Sequence, residues 1–273
     1  TAINKAHILM LVRQKIIGPD VGRALAKGVL QIEAAGPAAF TLDPGREDTY
    51  FNYEARLIQL TGGDVGGRAH IARSRNDLKA TLDRLRGRAL LLRILEGAIG
   101  LRQTVLRQAE RYRDVVMPGY THLQPAQPIT FGYYLFGIAH ALERDFRRLA
   151  EAYPRVNLNA LGTGALAGTS FPIDRDMTAA LLGFDGSVGH AQDTVASRDY
   201  LVEILGSAAL MATTWGRMAQ DFYIMTTYEF ATLFLPDRVA ATSSIMPQKK
   251  NITVLETLKA RVAHLKGAHT TAL

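Results

Sequence analysis

The sequence contains no cysteine. That excludes a disulfide framework and a thiolate metal site, and it is consistent with a reducing, cytoplasmic compartment. Long apolar runs are missing as well. The best candidate for a membrane span, 201–218, is interrupted by Glu203, several threonines and Arg217. The opening Ile8–Val12 run is too short for a leader, and no small-residue cleavage site follows it. No internal repeat, no low-complexity segment and no convincing strand alternation is present. A dense basic tract is absent too. The net charge is +7, but the Lys and Arg are scattered over amphipathic faces, many beside Glu or Asp. A solvated surface with a site for small anions therefore outweighs nucleic-acid binding. The chain opens on Thr1 and stops inside a helical pattern, so both ends are expected to be trimmed.

What remains is helical. A chain of 273 residues can bury a large core in one or two domains, and 48% hydrophobic with 21% charged residues is ordinary for a globular protein. Apolar spacing gives helices over residues 2–16, from Pro19 to the stop at Gly36, and from about 47 to 60 before Gly62-Gly63. These form a small N-terminal helical domain, residues 1–73. A single helix of about 50 Å follows from Asp77 to about Arg111. Further helices run from Thr130 to about Tyr153, from His190 to about Tyr228, and from Asn251 onward with Glu256 on the second turn. Residues 74–273 therefore read as a long-helix bundle, incomplete at its C-terminus. Helices this long imply an extended bundle or an oligomer. The fold class is all-α.

The chemistry gathers in the breaks between helices. Residues 66–77 offer Ser74, Arg75 and Asn76, where Ser74 or Asn76 can cap the next helix and Arg75 can grip a carboxylate. Residues 117–128 hold three prolines and a glycine, which rule out regular structure there. Thr121, His122, Gln124 and Gln127 line that break, with His122 pinned for proton transfer. Residues 161–170 form a Gly/Ala/Thr loop with no βαβ pattern behind it, so dinucleotide binding is rejected. Residues 242–251, Thr-Ser-Ser-Ile-Met-Pro-Gln-Lys-Lys-Asn, carry hydroxyls, ammonium groups and carboxamides but no acid. The bland reading of that stretch is a solvated loop with a cap at Asn251. Pooled, these breaks supply cationic and amide donors with one histidine and, at Glu256, one carboxylate. The set lacks the ligand cluster of a metal site. It suits a dicarboxylate from which a proton is removed next to a carboxylate.

Ser-Ser-Ile-Met-Pro-Gln-Lys-Lys-Asn over 243–251 resembles the signature loop of the fumarase/aspartase superfamily. Tyr-Thr-His-Leu-Gln over 120–124 and Ala-Arg-Ser-Arg-Asn-Asp over 72–77 resemble the argininosuccinate lyase family within it, as do 164–174 and 193–203. The likeness is collinear over nearly the whole chain. It implies reversible anti β-elimination of argininosuccinate to arginine and fumarate, in arginine biosynthesis, without metal or organic cofactor. By that resemblance Ser243 is the general base, Lys249 and Asn251 hold the aci-carboxylate, His122 protonates the leaving nitrogen, and Glu256 pairs with His122. Ser74, Arg75, Asn76, Thr121 and Gln124 would hold the substrate. The resemblance also implies a homotetramer whose sites combine loops from different subunits, and a family fold that continues beyond residue 273. Four departures stand out: Ile71-Ala72 for Thr-Gly, His190 for Asn, Thr242 for Gly, and Ile252-Thr253 for Pro-Asp. The alternatives are a superfamily lyase acting on another amino-succinyl compound and a non-catalytic, crystallin-like structural homologue.

Overall fold

A computed structural model describes all residues, 1–273. The fold is all-α in its bulk, with three two-stranded pairings. The chain forms two compact units, residues 1–89 with 154–198 and residues 90–153 with 199–273. The junction expected between residues 73 and 74 lies inside the first unit.

The first unit is built on α1 (Ala2–Arg13), α2 (Pro19–Ala35) and α3 (Thr49–Thr61), followed by a single turn, α4 (Gly63–Gly66). Pro19 stands at the start of α2 and Gly36, at φ 58, ends it, which is the usual asymmetry of the two residues. Leu11, Leu25, Val29 and Leu57 are fully buried between these helices. Each contributes roughly 1.5–3 kcal/mol by leaving water. α1 ends at Arg13 rather than at residue 16, because Lys15 turns the backbone into the left-handed region at φ 59.

α5 (Arg75–Arg111) is the long helix read from the sequence, about 55 Å at 1.5 Å per residue. Its first turns pack Leu78, Leu82 and Leu85 on a cluster that holds Leu161, Leu182 and Phe184. Beyond it come β1 (Val116–Thr121), β2 (Gln124–Thr130) and α6 (Phe131–Val156). The β1–β2 hairpin corrects the expectation of an irregular break over 117–128. Proline cannot donate to a ladder, but in a two-stranded hairpin half the N–H groups face outward, so Pro118 and Pro128 can pair without loss. Gly132 makes the junction possible. A Cβ there would come within 2.4 Å of the Ala109 carbonyl oxygen, and the Phe131 and Gly132 N–H groups donate to Val115 and Tyr112.

β3 (Leu158–Asn159) and β4 (Gly186–Ser187) pair in parallel around α7 (Arg175–Leu181), which Asp174 caps through the Met177 N–H at 2.8 Å. The helix expected from His190 to about Tyr228 is two helices, α8 (Ala191–Ala196) and α9 (Asp199–Met225). Ser197 is extended, and its hydroxyl bonds back to Asp193. Arg198 caps the Val195 and Ser197 carbonyls while pairing with Asp83 at 3.1 Å. These side-chain bonds replace the main-chain bonds a continuous helix would need.

In the second unit β5 (Ala241–Thr242) pairs antiparallel with β6 (Lys250–Asn251), and α10 (Thr253–Ala272) packs along α9. Gly216 of α9 leaves room for Val262 of α10, and Ile252 and Leu255 bury against Ala219. α10 therefore starts two residues later than expected. Asn251 is engaged in the β bridge with Ala241 and does not cap the helix, and Glu256 falls in the first turn instead of the second.

Candidate active site

The ten candidate site residues fall on two scaffolds. Ser74, Arg75 and Asn76 lie in the first unit, and Thr121, His122, Gln124, Ser243, Lys249, Asn251 and Glu256 in the second.

In the first unit the backbone turns at Ala72, φ 63, one of the few non-glycine residues in the left-handed region. Ser74 then caps α5. Its hydroxyl accepts from the Asn76 N–H, and its own N–H donates to Asp77 Oδ1 at 2.9 Å. Asp77 is fully buried, and its Oδ2 accepts from the Gly162 and Gly164 N–H groups at 2.9 and 3.0 Å. One carboxylate thus ties the glycine loop to the start of α5, and Asn76 Nδ2 adds a bond to the Ala165 carbonyl. Burial pushes the Asp77 carboxyl above its ordinary value, against the pull of those three N–H donors. The sequence reading missed Asp77. Its signal was an acid three residues after a candidate N-cap serine.

His7 is the second residue that reading missed. It is buried on α1, and its Nε2 bonds to the Ile71 carbonyl at 2.8 Å, just before the turn. Burial, then the charge of Arg73, depresses its pKa to about 3, so the ring is neutral and Nε2 donates. Arg73 is buried with its guanidinium facing the Tyr50 ring, and Tyr50 Oη bonds to His70 Nδ1 at 2.6 Å. Arg75 lies over the Phe51 ring at 4.5 Å and pairs with Glu47 at 3.1 Å and Asp48 at 3.0 Å. Its fork is aimed at carboxylates, here those of its own chain.

In the second unit Thr121 and Gln124 are cross-strand partners, so His122 and Leu123 form a two-residue turn at the hairpin tip. Both have positive φ, 55 and 60. That geometry suits Asn-Gly and costs other residues about 1 kcal/mol or more each. His122 is thereby held out in solvent at the tip of the hairpin.

The 243–249 loop is closed at its neck by β5 and β6. Ser243 is half-buried, and its Oγ accepts from the Met246 N–H at 3.2 Å. The Lys249 N–H returns to the Met246 carbonyl at 2.9 Å. A backbone N–H aimed at a hydroxyl oxygen favours negative charge on it. The side chains of Thr121, His122, Gln124, Lys249 and Glu256 are exposed and make no hydrogen bond or ion pair within the chain. His122 and Glu256, the expected pair, are among them. No three His, Asp or Glu side chains are grouped so as to hold a metal ion.

The departures acquire local explanations. His190 caps α8, its Nδ1 accepting from the Asp193 N–H, which is the work an asparagine does at that position. Thr242 is an extended residue opposite Lys250, a conformation any residue adopts. Ile252 is buried at the foot of α10.

Comparison with known proteins agrees on the kind of protein. A family described as "Lyase" matches residues 13–267. The argininosuccinate lyase 1 of Shouchella clausii is 42% identical over 271 residues, 99% of this chain and 54% of that protein. The argininosuccinate lyase of Methanocaldococcus jannaschii is 39% identical over 98% of this chain and 55% of its own. Among solved structures, EDDS lyase in complex with formate superposes with a TM-score of 0.91 at 38% identity, over 97% of this chain and 52% of that one. A class II fumarase from Schistosoma mansoni shares the fold, with a TM-score of 0.84 at 19% identity over 99% of this chain and 65% of that one. The chain spans about half the length of the curated relatives it matches.

Proposed function

The chain belongs to the lyase family, with the argininosuccinate lyases and the wider fumarase/aspartase superfamily, and on that premise we propose that it eliminates fumarate from an N-substituted aspartate, with argininosuccinate as substrate and arginine as the leaving amine. The observation that carries the proposal is the 243–249 loop. It presents a serine oxygen to a backbone N–H, and it ends on a lysine with no partner of its own.

In this reading Ser243, as alkoxide, takes the Cβ proton. The electron pair moves into the adjacent carboxylate, which becomes the dianionic aci-carboxylate. Lys249 and the Asn251 carboxamide stabilise that charge, which exists only in the intermediate and the flanking transition states. The pair then returns to form the C=C bond, the Cα–N bond breaks, and His122 supplies the proton the leaving nitrogen needs. Glu256 orients the His122 ring. Ser74, Arg75, Asn76, Thr121 and Gln124 hold the substrate, whose carboxylate replaces Glu47 and Asp48 on Arg75.

Shared sites between copies of the chain fit the second unit. His122 and Glu256 have no partner in their own chain, and Leu92 and Ile99 of α5 and Leu210 of α9 are about half exposed, as faces awaiting another helix would be. From the family resemblance we read the assembly as a homotetramer in the cytoplasm. No helix is long and apolar enough to cross a membrane.

The test is fumarate absorbance after mixing purified full-length enzyme with argininosuccinate. A steady rise supports the proposal. The likeness to EDDS lyase favours a second reading, another amino-succinyl substrate, which fumarate release from EDDS but not from argininosuccinate would select. A folded oligomer that releases fumarate from neither would point to the structural homologue.

A further inference from the structure

Two adjacent lysines end the 243–251 loop, and their surroundings differ. The Lys249 side chain is exposed and makes no hydrogen bond or ion pair within the chain. The Lys250 ammonium donates to the Leu235 carbonyl, pairs with Asp237 Oδ1 at 2.8 Å and lies 4.0 Å from the centre of the Phe234 ring. Its hydrogen bond and charge hold the Asp237 carboxyl below its ordinary value. The Asp237 side chain is 95% exposed, so the ion pair alone would fix little. The three partners together hold the ammonium from several sides. Their residues, 234, 235 and 237, belong to one short segment of the same unit.

Lys250 is also the cross-strand partner of Thr242, the residue before Ser243. A force on Lys250 therefore acts on the neck from which both Ser243 and Lys249 project. We propose that Lys250 is a positioning residue for this loop: by gripping residues 234–237 it holds the neck closed and keeps Ser243 and Lys249 in register. Lys249 is the lysine left for the substrate. The assignment rests on the reading of 243–251 as the catalytic loop, and it adds a division of labour between two neighbouring lysines.

The experiment combines hydrogen–deuterium exchange over 241–251 with steady-state fumarate release, both on the full-length enzyme. Lys250→Met is expected to raise exchange in that segment about tenfold and to lower kcat about tenfold, with KM changed less than about threefold. Lys250→Arg should restore both, since a guanidinium can reach a carbonyl, a carboxylate and an aromatic face. Lys249→Met should lower kcat/KM with unchanged exchange. Phe234→Leu, at a residue 83% exposed, gives a milder form of the Lys250→Met result if that variant folds poorly. Wild-type exchange in both Lys250→Met and Phe234→Leu, or an arginine variant as impaired as the methionine one, overturns the proposal. If the wild-type enzyme releases no fumarate from any succinyl substrate, the catalytic reading fails, while the exchange data still decide whether Lys250 holds the neck.

Discussion

Position 72 shows how a single dihedral angle explains a departure from a motif. The resembled family has glycine where this chain has Ala72, and the backbone there stands at φ 63. An L-residue in that region costs roughly 1–2 kcal/mol, part of which glycine gives back through its looser unfolded state. Ala72→Gly should therefore stabilise the protein by about 0.5–1 kcal/mol in a urea unfolding experiment; a lower midpoint would mean that the turn is not strained. Thr242 stands where the family has glycine too, but it sits in an extended pairing and needs no such freedom. At Ser243 the stake is chemical. Ser243→Ala should lower kcat by about 10²–10⁴-fold with assembly intact, the range expected for loss of a general base, and near-normal turnover would remove serine from that role.

Among the elements, α5 does the most to organise the first unit's part of the site, and it does so through Asp77 in its first turn. Both of its oxygens are committed to backbone N–H groups. Asp77→Asn would turn an amide N–H₂ toward donors, so a loss of about 2–4 kcal/mol is expected, with a higher KM as Ser74 and Asn76 drift. Thermal unfolding and kinetics together check it, and an unperturbed variant would show that the glycine loop is held by other means. α1 contributes through His7. Its folded pKa of about 3 lies below the ordinary 6.5, so between those values the unfolded chain binds a proton that the folded chain does not. Stability is complete above pH 6.5 and falls as pH drops through that window. Going from pH 7 to pH 5 should cost about 2 kcal/mol from this residue alone. His7→Gln, whose amide can still donate to Ile71, should flatten that slope in unfolding experiments at the two pH values. An unchanged slope would place the titration elsewhere.

For the whole molecule, the prediction concerns assembly. Leu92 and Ile99 are seven residues apart on α5, on one face, and 47% and 45% exposed. Replacing both with glutamate should leave the helix content intact, lower the assembled mass in light scattering, and reduce activity in proportion, since His122 and Glu256 lack partners inside the chain. A double variant that stays fully assembled and active would locate the contact on another face.

Most helices were legible because apolar spacing, proline starts and glycine stops are local signals, and α2, α3, α5 and α6 lie close to where those signals put them. The breaks between helices were legible for the same reason: hydroxyl, amide and cationic groups without apolar periodicity mark them. Three things were not legible. The β1–β2 hairpin depends on cross-strand pairing, which composition rich in proline argues against. The break between α8 and α9 depends on Arg198 meeting Asp83, 115 residues away in sequence. The work of Asp77 and His7 depends on carbonyls and N–H groups brought from distant segments. By itself, then, the sequence determined the all-α character and the long helices and singled out the candidate side chains, since these follow from residue chemistry and nearest-neighbour spacing. The tertiary structure alone decided which backbone groups hold the site loops, and that of two adjacent lysines Lys250 is bound and Lys249 is free, because contacts across long sequence separation leave no local trace.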